Sequence, residues 1–219
     1  MRLWPGLGIA LLCFLASPVL AGAWQREKGR WFMSTSSSFT IGEYGYRGYY
    51  GAYYGEYGLT DTLTLGIDAG VSETGVATVL FFTRQPVWQG KKGGRLALEI
   101  ASGTSGGIPV VRPGLSWGQG LQTEWGPGWF AIDAALTQNM TTGIFTYKVD
   151  TTIGISPSDR WKAIMQFQAE FSPGLSQSLK IAPSVVMRVG KTTQLELGVS
   201  QSLLDGGQTG VKLGLWMDF

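Results

Sequence analysis

The sequence predicts an all-β protein, an antiparallel up-and-down transmembrane β-barrel of about twelve strands. Three observations lead there. Apolar and polar residues alternate with period two in segments of about ten residues, the length of a tilted strand that crosses a bilayer. Charged residues make up only 15% of the chain, against about a quarter in an ordinary soluble domain. Aromatic residues, 12% of the chain, gather near the ends of the alternating segments, where rings with an apolar body and a polar edge favour a membrane interface. Beyond residue 23 no stretch reaches the ~18 apolar residues of a transmembrane helix; the longest run, Val76–Phe82, is strand-sized.

Residues 1–23 read as a cleaved signal peptide. Arg2 is the only charge before Arg26, Leu7–Leu15 is apolar, Pro18 ends the run, and Ala21-Gly22-Ala23 supplies small residues for a cut after Ala23. The competing reading, a membrane-anchoring helix, is interrupted by Pro5, Gly6, Gly8 and Pro18. The single cysteine, Cys13, leaves with this segment, so the mature chain has no disulfide and no thiolate. Leu12 before it is too large for a lipoprotein signal. The remaining 24–219 form one domain.

Within that domain the strands begin near Arg30, Tyr46, Thr62, Gly75, Arg95, Ile108, Gly128, Ile144, Arg160, Ser178, Thr192 and Thr209. The third follows a tight Leu59-Thr60-Asp61 turn. The fourth carries the Val76–Phe82 run. In the eighth, Phe145, Tyr147, Val149, Thr151 and Ile153 oppose Thr146, Lys148, Asp150 and Thr152. The ninth follows Ser156-Pro157-Ser158-Asp159 and sets Trp161, Ala163, Met165, Phe167, Ala169 and Phe171 against Lys162, Ile164, Gln166, Gln168 and Glu170. The eleventh follows Gly190-Lys191 and sets Leu195, Leu197 and Val199 against Gln194, Glu196 and Ser200. In the twelfth, Val211, Leu213, Leu215, Met217 and Phe219 oppose Lys212, Gly214, Trp216 and Asp218. An even strand number returns the C-terminus to the side of the N-terminus. The weak likeness of Asp61–Gly66 to Thr193–Gly198 reflects repeated hairpins, not solenoid units.

A soluble sandwich or lipocalin-like barrel would also alternate. Its outer face would carry charge, whereas here the apolar faces are nearly charge-free and the opposite faces hold many small residues. The aromatics form two bands. Trp31, Trp88, Trp117, Trp125, Trp129, Trp161 and Trp216 lie toward the terminal side; Phe39, Tyr44, Tyr46, Tyr49, Tyr50, Phe145, Tyr147 and Phe171 lie toward the other rim. A soluble core needs no such bands, whereas a membrane barrel does. Lipid is therefore the expected surroundings.

Alternation turns the charged residues inward. Glu99, Arg112, Asp133, Lys148, Asp150 and Glu196 fall near mid-strand and form a candidate lumen belt. Glu99 with Arg112, Arg112 with Asp133, and Asp133 with Lys148 lie on neighbouring strands, so cross-strand ion pairs are expected. The belt has two readings: a polar constriction that selects solutes, or a salt-bridge network that braces a filled lumen. Twelve strands lie between barrels filled by side chains and wide porins, which fits a narrow lumen.

Signal peptide, alternating strands and the ending Leu215-Trp216-Met217-Asp218-Phe219 together resemble Gram-negative outer-membrane β-barrels. The resemblance implies export to the outer membrane. It also implies that Leu215, Met217 and Phe219 act as the C-terminal signal read transiently by the barrel-assembly machinery. Gly58–Gly66 resembles a turn of outer-membrane proteins tied to aromatic-compound degradation, which assigns no substrate.

The chain has no histidine. Ser-His and Cys-His nucleophiles and histidine-ligated metals are excluded, as is the histidine-dependent chemistry of barrel phospholipases, deacylases, palmitoyl transferases and proteases. No catalytic residue, cofactor or metal site is expected. The net charge of +2 has scattered signs, which gives no footing for nucleic acid. The outer loops are short, which disfavours a receptor or adhesin. The longer connections, Gln85–Gly94 and Gly118–Pro127, are expected on the periplasmic side. The sequence thus reads as a narrow passive channel for small solutes, with a closed accessory barrel, serving an envelope complex through its periplasmic turns, as the alternative.

Overall fold

Period-two alternation with short turns leaves each strand one neighbour on either side in sequence order, and the sheet closes when its ends meet. The structure, a computed structural model, describes residues 22–219 except 43, 44, 46, 205 and 206. Residues 1–21 of the predicted 1–23 leader and the rim residues Tyr44 and Tyr46 lie outside the described residues. Twelve strands follow in order: β1 (Trp31–Ile41), β2 (Arg47–Thr60), β3 (Leu63–Ser72), β4 (Ala77–Gln89), β5 (Gly94–Ser105), β6 (Ile108–Thr123), β7 (Gly126–Asn139), β8 (Phe145–Ser158), β9 (Trp161–Ser172), β10 (Ser176–Arg188), β11 (Thr193–Ser202) and β12 (Thr209–Asp218). They form one closed barrel with β12 paired antiparallel to β1. Every predicted start falls within two residues of the observed one.

Closure is made at the chain ends. Trp31 N–H donates to the Phe219 carbonyl at 3.1 Å, and Phe219 N–H donates back to the Trp31 carbonyl at 2.9 Å. A closed ladder leaves no free edge, which is what a bilayer demands of a sheet. Prolines interrupt it locally. The β10–β11 pairing skips from Ile181↔Gln201 to Ser184↔Gly198 because Pro183 has no N–H to give.

The outside is the apolar face: Val185, Leu195, Leu197, Val199, Val211 and Leu213 are all exposed. Two expectations need correction. Trp129 and Trp216 do not join the aromatic girdle. They share the parity of Asp133 and Lys212, so they turn into the lumen, where Trp129 is buried and Trp216 packs against it. Tyr50 likewise faces the lumen. Trp31, Trp88, Trp125 and Trp161 at the terminal side, and Phe39, Tyr49, Phe145, Tyr147 and Phe171 at the other, are exposed. The long connections also shrink. β4 runs to Gln89 and β6 to Thr123, so only residues 90–93 and 124–125 remain as turns.

Candidate functional site

The lumen divides into two halves of different chemistry. Toward the terminal side it is filled. Residues 22–30, which precede β1, form a strap whose first part, 22–26, folds back inside the barrel while 27–30 are exposed. Trp24 is 6% and Ala23 1% exposed, and both pack into an apolar cluster with Trp129, Ala131, Ile164 and Val186. The strap is hydrogen-bonded along β2 and β3: Gly29 N–H donates to the Gly58 carbonyl at 2.8 Å, and Arg26 N–H to Thr64 Oγ1 at 3.1 Å. Glycines make room for it. A Cβ at Gly118 would collide with the Trp24 ring, and one at Gly58 would collide with the Glu27 carbonyl.

Beside the strap runs a continuous ion-pair network. Glu56, 2% exposed, accepts from the Tyr54 hydroxyl at 2.6 Å, from Arg26 Nη2 at 2.8 Å and from Arg84. Arg84 bridges on to Glu99 at 2.7 Å. Glu99 meets Arg112 at 3.3 Å, and Arg112 reaches Asp68 at 2.7 Å. Three cations and three carboxylates thus alternate across β2 to β6 and the strap. In a low-dielectric lumen such groups hold one another in place, because none is stable there alone.

The predicted belt is therefore split into separate groups. Glu99 and Arg112 join as expected. Arg112 does not pair with Asp133; its guanidinium turns to Asp68 and Glu99 instead. Lys148 does not reach Asp133 either, but pairs with Asp150 on its own strand at 3.0 Å. Glu196 pairs with Lys212 at 3.0 Å and accepts from Trp216 Nε1 at 3.0 Å. Asp133 stands opposite Asp150 across β7 and β8, and each keeps one buried carboxylate oxygen without a hydrogen-bond partner. Arg26, Tyr54 and Glu56 escaped the sequence reading. The inward parity of β2 would have found Tyr54 and Glu56; nothing local signals that residues 22–26 enter the barrel.

The other half of the lumen is a polar vestibule of about 670 Å³ lined by Ser36, Ser178, Gln166, Gln168, Lys148 and Lys180, among others. Hydroxyls, amides, ammonium groups and the carboxylates of Glu170 and Glu196 converge there, able to hydrogen-bond a hydrated solute. Among the described residues, no cluster of histidine, cysteine or acidic side chains is placed to hold a metal ion.

No family model matches the sequence, and no curated protein is significantly similar to it. Solved structures do share the fold. The NanC porin superposes with a TM-score of 0.68 at 7% identity, over 84% of this chain and 98% of that one. The KdgM porin gives 0.64 at 10% identity, over 85% and 99%, and that porin is also known in complex with disordered oligogalacturonate. An outer membrane channel from Pseudomonas putida F1 gives 0.53 at 11% identity, over 92% and 100%. The fold is that of small outer-membrane porins.

Proposed function

We propose that the protein is exported by a cleaved leader to a bacterial outer membrane and forms there a narrow passive channel for small, hydrophilic solutes. The observation that carries this is the polar vestibule inside a closed barrel whose outer face is apolar. A purely structural barrel has no need of an open chamber lined by hydroxyls, amides and charged groups of both signs. The likeness to the KdgM porin, known with an acidic sugar chain, supports a hydroxyl-rich solute. Transport without catalysis fits a chain lacking histidine. The alternative, a closed accessory barrel, is favoured by one specific observation: the strap and the ion-pair network fill the terminal half of the lumen.

Single-channel recording of the purified protein in a planar bilayer tests the proposal. The expected result is a small conductance. In Arg112→Ala the Asp68 carboxylate loses its cation, while Glu99 keeps Arg84, so permeability shifts toward cations. Folded, inserted protein that stays silent, with residues 22–29 present or deleted, overturns the channel and leaves the accessory barrel.

A further inference from the structure

The strap begins at a place that wants a positive charge. A Cβ at Gly22 would collide with Asp133 Oδ1 and Ser116 Oγ, so the Gly22 backbone lies directly against that carboxylate. Asp133 faces Asp150 across the β7–β8 ladder, and the Oδ1 atom of each is buried without a hydrogen-bond donor. Lys148 serves Asp150 through its other oxygen only. Two facing carboxylates that each hold a buried oxygen with an unfilled acceptor site are costly.

We propose that leader removal cuts the chain between Ala21 and Gly22, and that the new Gly22 ammonium sits between Asp133 and Asp150 as the anchor of the strap. This rests on the export reading above and moves its cut by two residues. Hydrolysis adds one water across the Ala21–Gly22 amide. Ala21 keeps the oxygen in its carboxylate, and Gly22 keeps the proton in an amine that is protonated at neutral pH. Val19-Leu20-Ala21 meets the peptidase's need, with a small residue directly before the cut.

The cut after Ala23 suits the folded barrel less well. It removes Ala23, whose 1% exposure shows it filling the apolar cluster around Trp129 and Val186. It also puts the new charge on Trp24, a member of that same cluster, where a charge is strongly disfavoured. A cut after Ala21 keeps the cluster intact. It delivers three N–H donors to the carboxylate pair, and glycine is the residue with room to lie there.

The test uses the full chain, expressed with its own leader in a Gram-negative host and extracted from the outer membrane. Intact mass is expected to show a chain starting at Gly22. A chain starting at Trp24, or at any other residue of a cleaved protein, overturns the proposal and spares the export reading. A chain that keeps Met1 overturns both. The anchor has its own readout: labelling of the α-amine by an amine-reactive ester at neutral pH. In the folded barrel labelling should be several-fold slower than in the unfolded chain, and Asp133→Asn with Asp150→Asn should restore much of the rate. Equal labelling of folded and unfolded wild-type protein overturns the anchor without any variant.

Discussion

Glu56 is the residue on which the lumen network turns. It is 2% exposed and accepts from the strap through Arg26 and from β4 through Arg84, itself 5% exposed. Glu56→Gln keeps the shape and removes the charge. Arg26 is then left with Asp218 at 3.8 Å as its nearest carboxylate, and Arg84 keeps Glu99 alone. Removing one partner of a buried ion pair costs about 3–5 kcal/mol, because the orphaned charge stays behind. The lumen opens into a hydrated vestibule, so the lower end, about 3 kcal/mol, is expected. Reversible urea unfolding in lipid vesicles, followed by tryptophan fluorescence, measures it. The decisive arm is a double-mutant cycle with Arg26→Met, since Arg26 is the cation left without a close carboxylate. If the cost is an orphaned cation, removing that cation in the Glu56→Gln background recovers at least half of it. A Glu56→Gln loss below about 0.5 kcal/mol, the level of an ordinary surface substitution, refutes the reasoning. So does a cycle in which the two losses simply add, since the pair would then not be coupled.

Leu197 and Leu213 face each other on the outer wall in the β11–β12 register. Arginine at either is expected to cost about 2–4 kcal/mol in the same vesicle assay, as lipid-facing cations do near the bilayer midplane, whereas a soluble barrel would tolerate it. Trp24→Ala removes the ring that wedges the strap against Trp129. Limited trypsin digestion is expected to cut after Arg26 many-fold faster in this variant than in the wild type, with the barrel left intact. Phe219→Ala is expected to lower the fraction of heat-modifiable, folded barrel recovered from the outer membrane, the readout of the proposed C-terminal assembly signal.

Fold and site were not equally open to sequence reading, and the reason is physical. Inward or outward facing is a property of one strand, written in every second residue. Leu195, Leu197 and Val199 therefore announce a lipid face whatever lies beside them, and glycine-rich turns mark the strand ends. Parity also holds where girdle logic fails. Trp129 sits near a turn, as a girdle residue would, yet it shares the parity of Ala131 and Asp133 and belongs inside. Position along the strand names a depth; only parity names a side.

Partners inside the lumen are set by something no single strand records. Arg112 had Glu99 and Asp133 available on adjacent strands, and parity allowed both. It takes Glu99 and then Asp68, which lies three strands away along the wall. A long guanidinium crosses a narrow lumen as easily as it follows the sheet, so reach and curvature decide, not adjacency. The strap is the stronger case. Residues 22–30 show no alternation, and the first two of them read as the tail of a leader, yet the segment supplies Arg26 to the network and Trp24 to the apolar cluster. Their fit is recorded elsewhere in the chain, in the missing side chains of Gly58 and Gly118 on two different strands. Both fall at inward strand positions, Gly118 within β6 and Gly58 beside a register shift of the β2–β3 pairing, where a residue that weakens the strand needs a reason. That reason is the close approach of another segment. At Gly58 and Gly118 the missing side chain thus marks where the strap passes, whereas at Gly154 it makes room for the Trp129 ring of the wall itself.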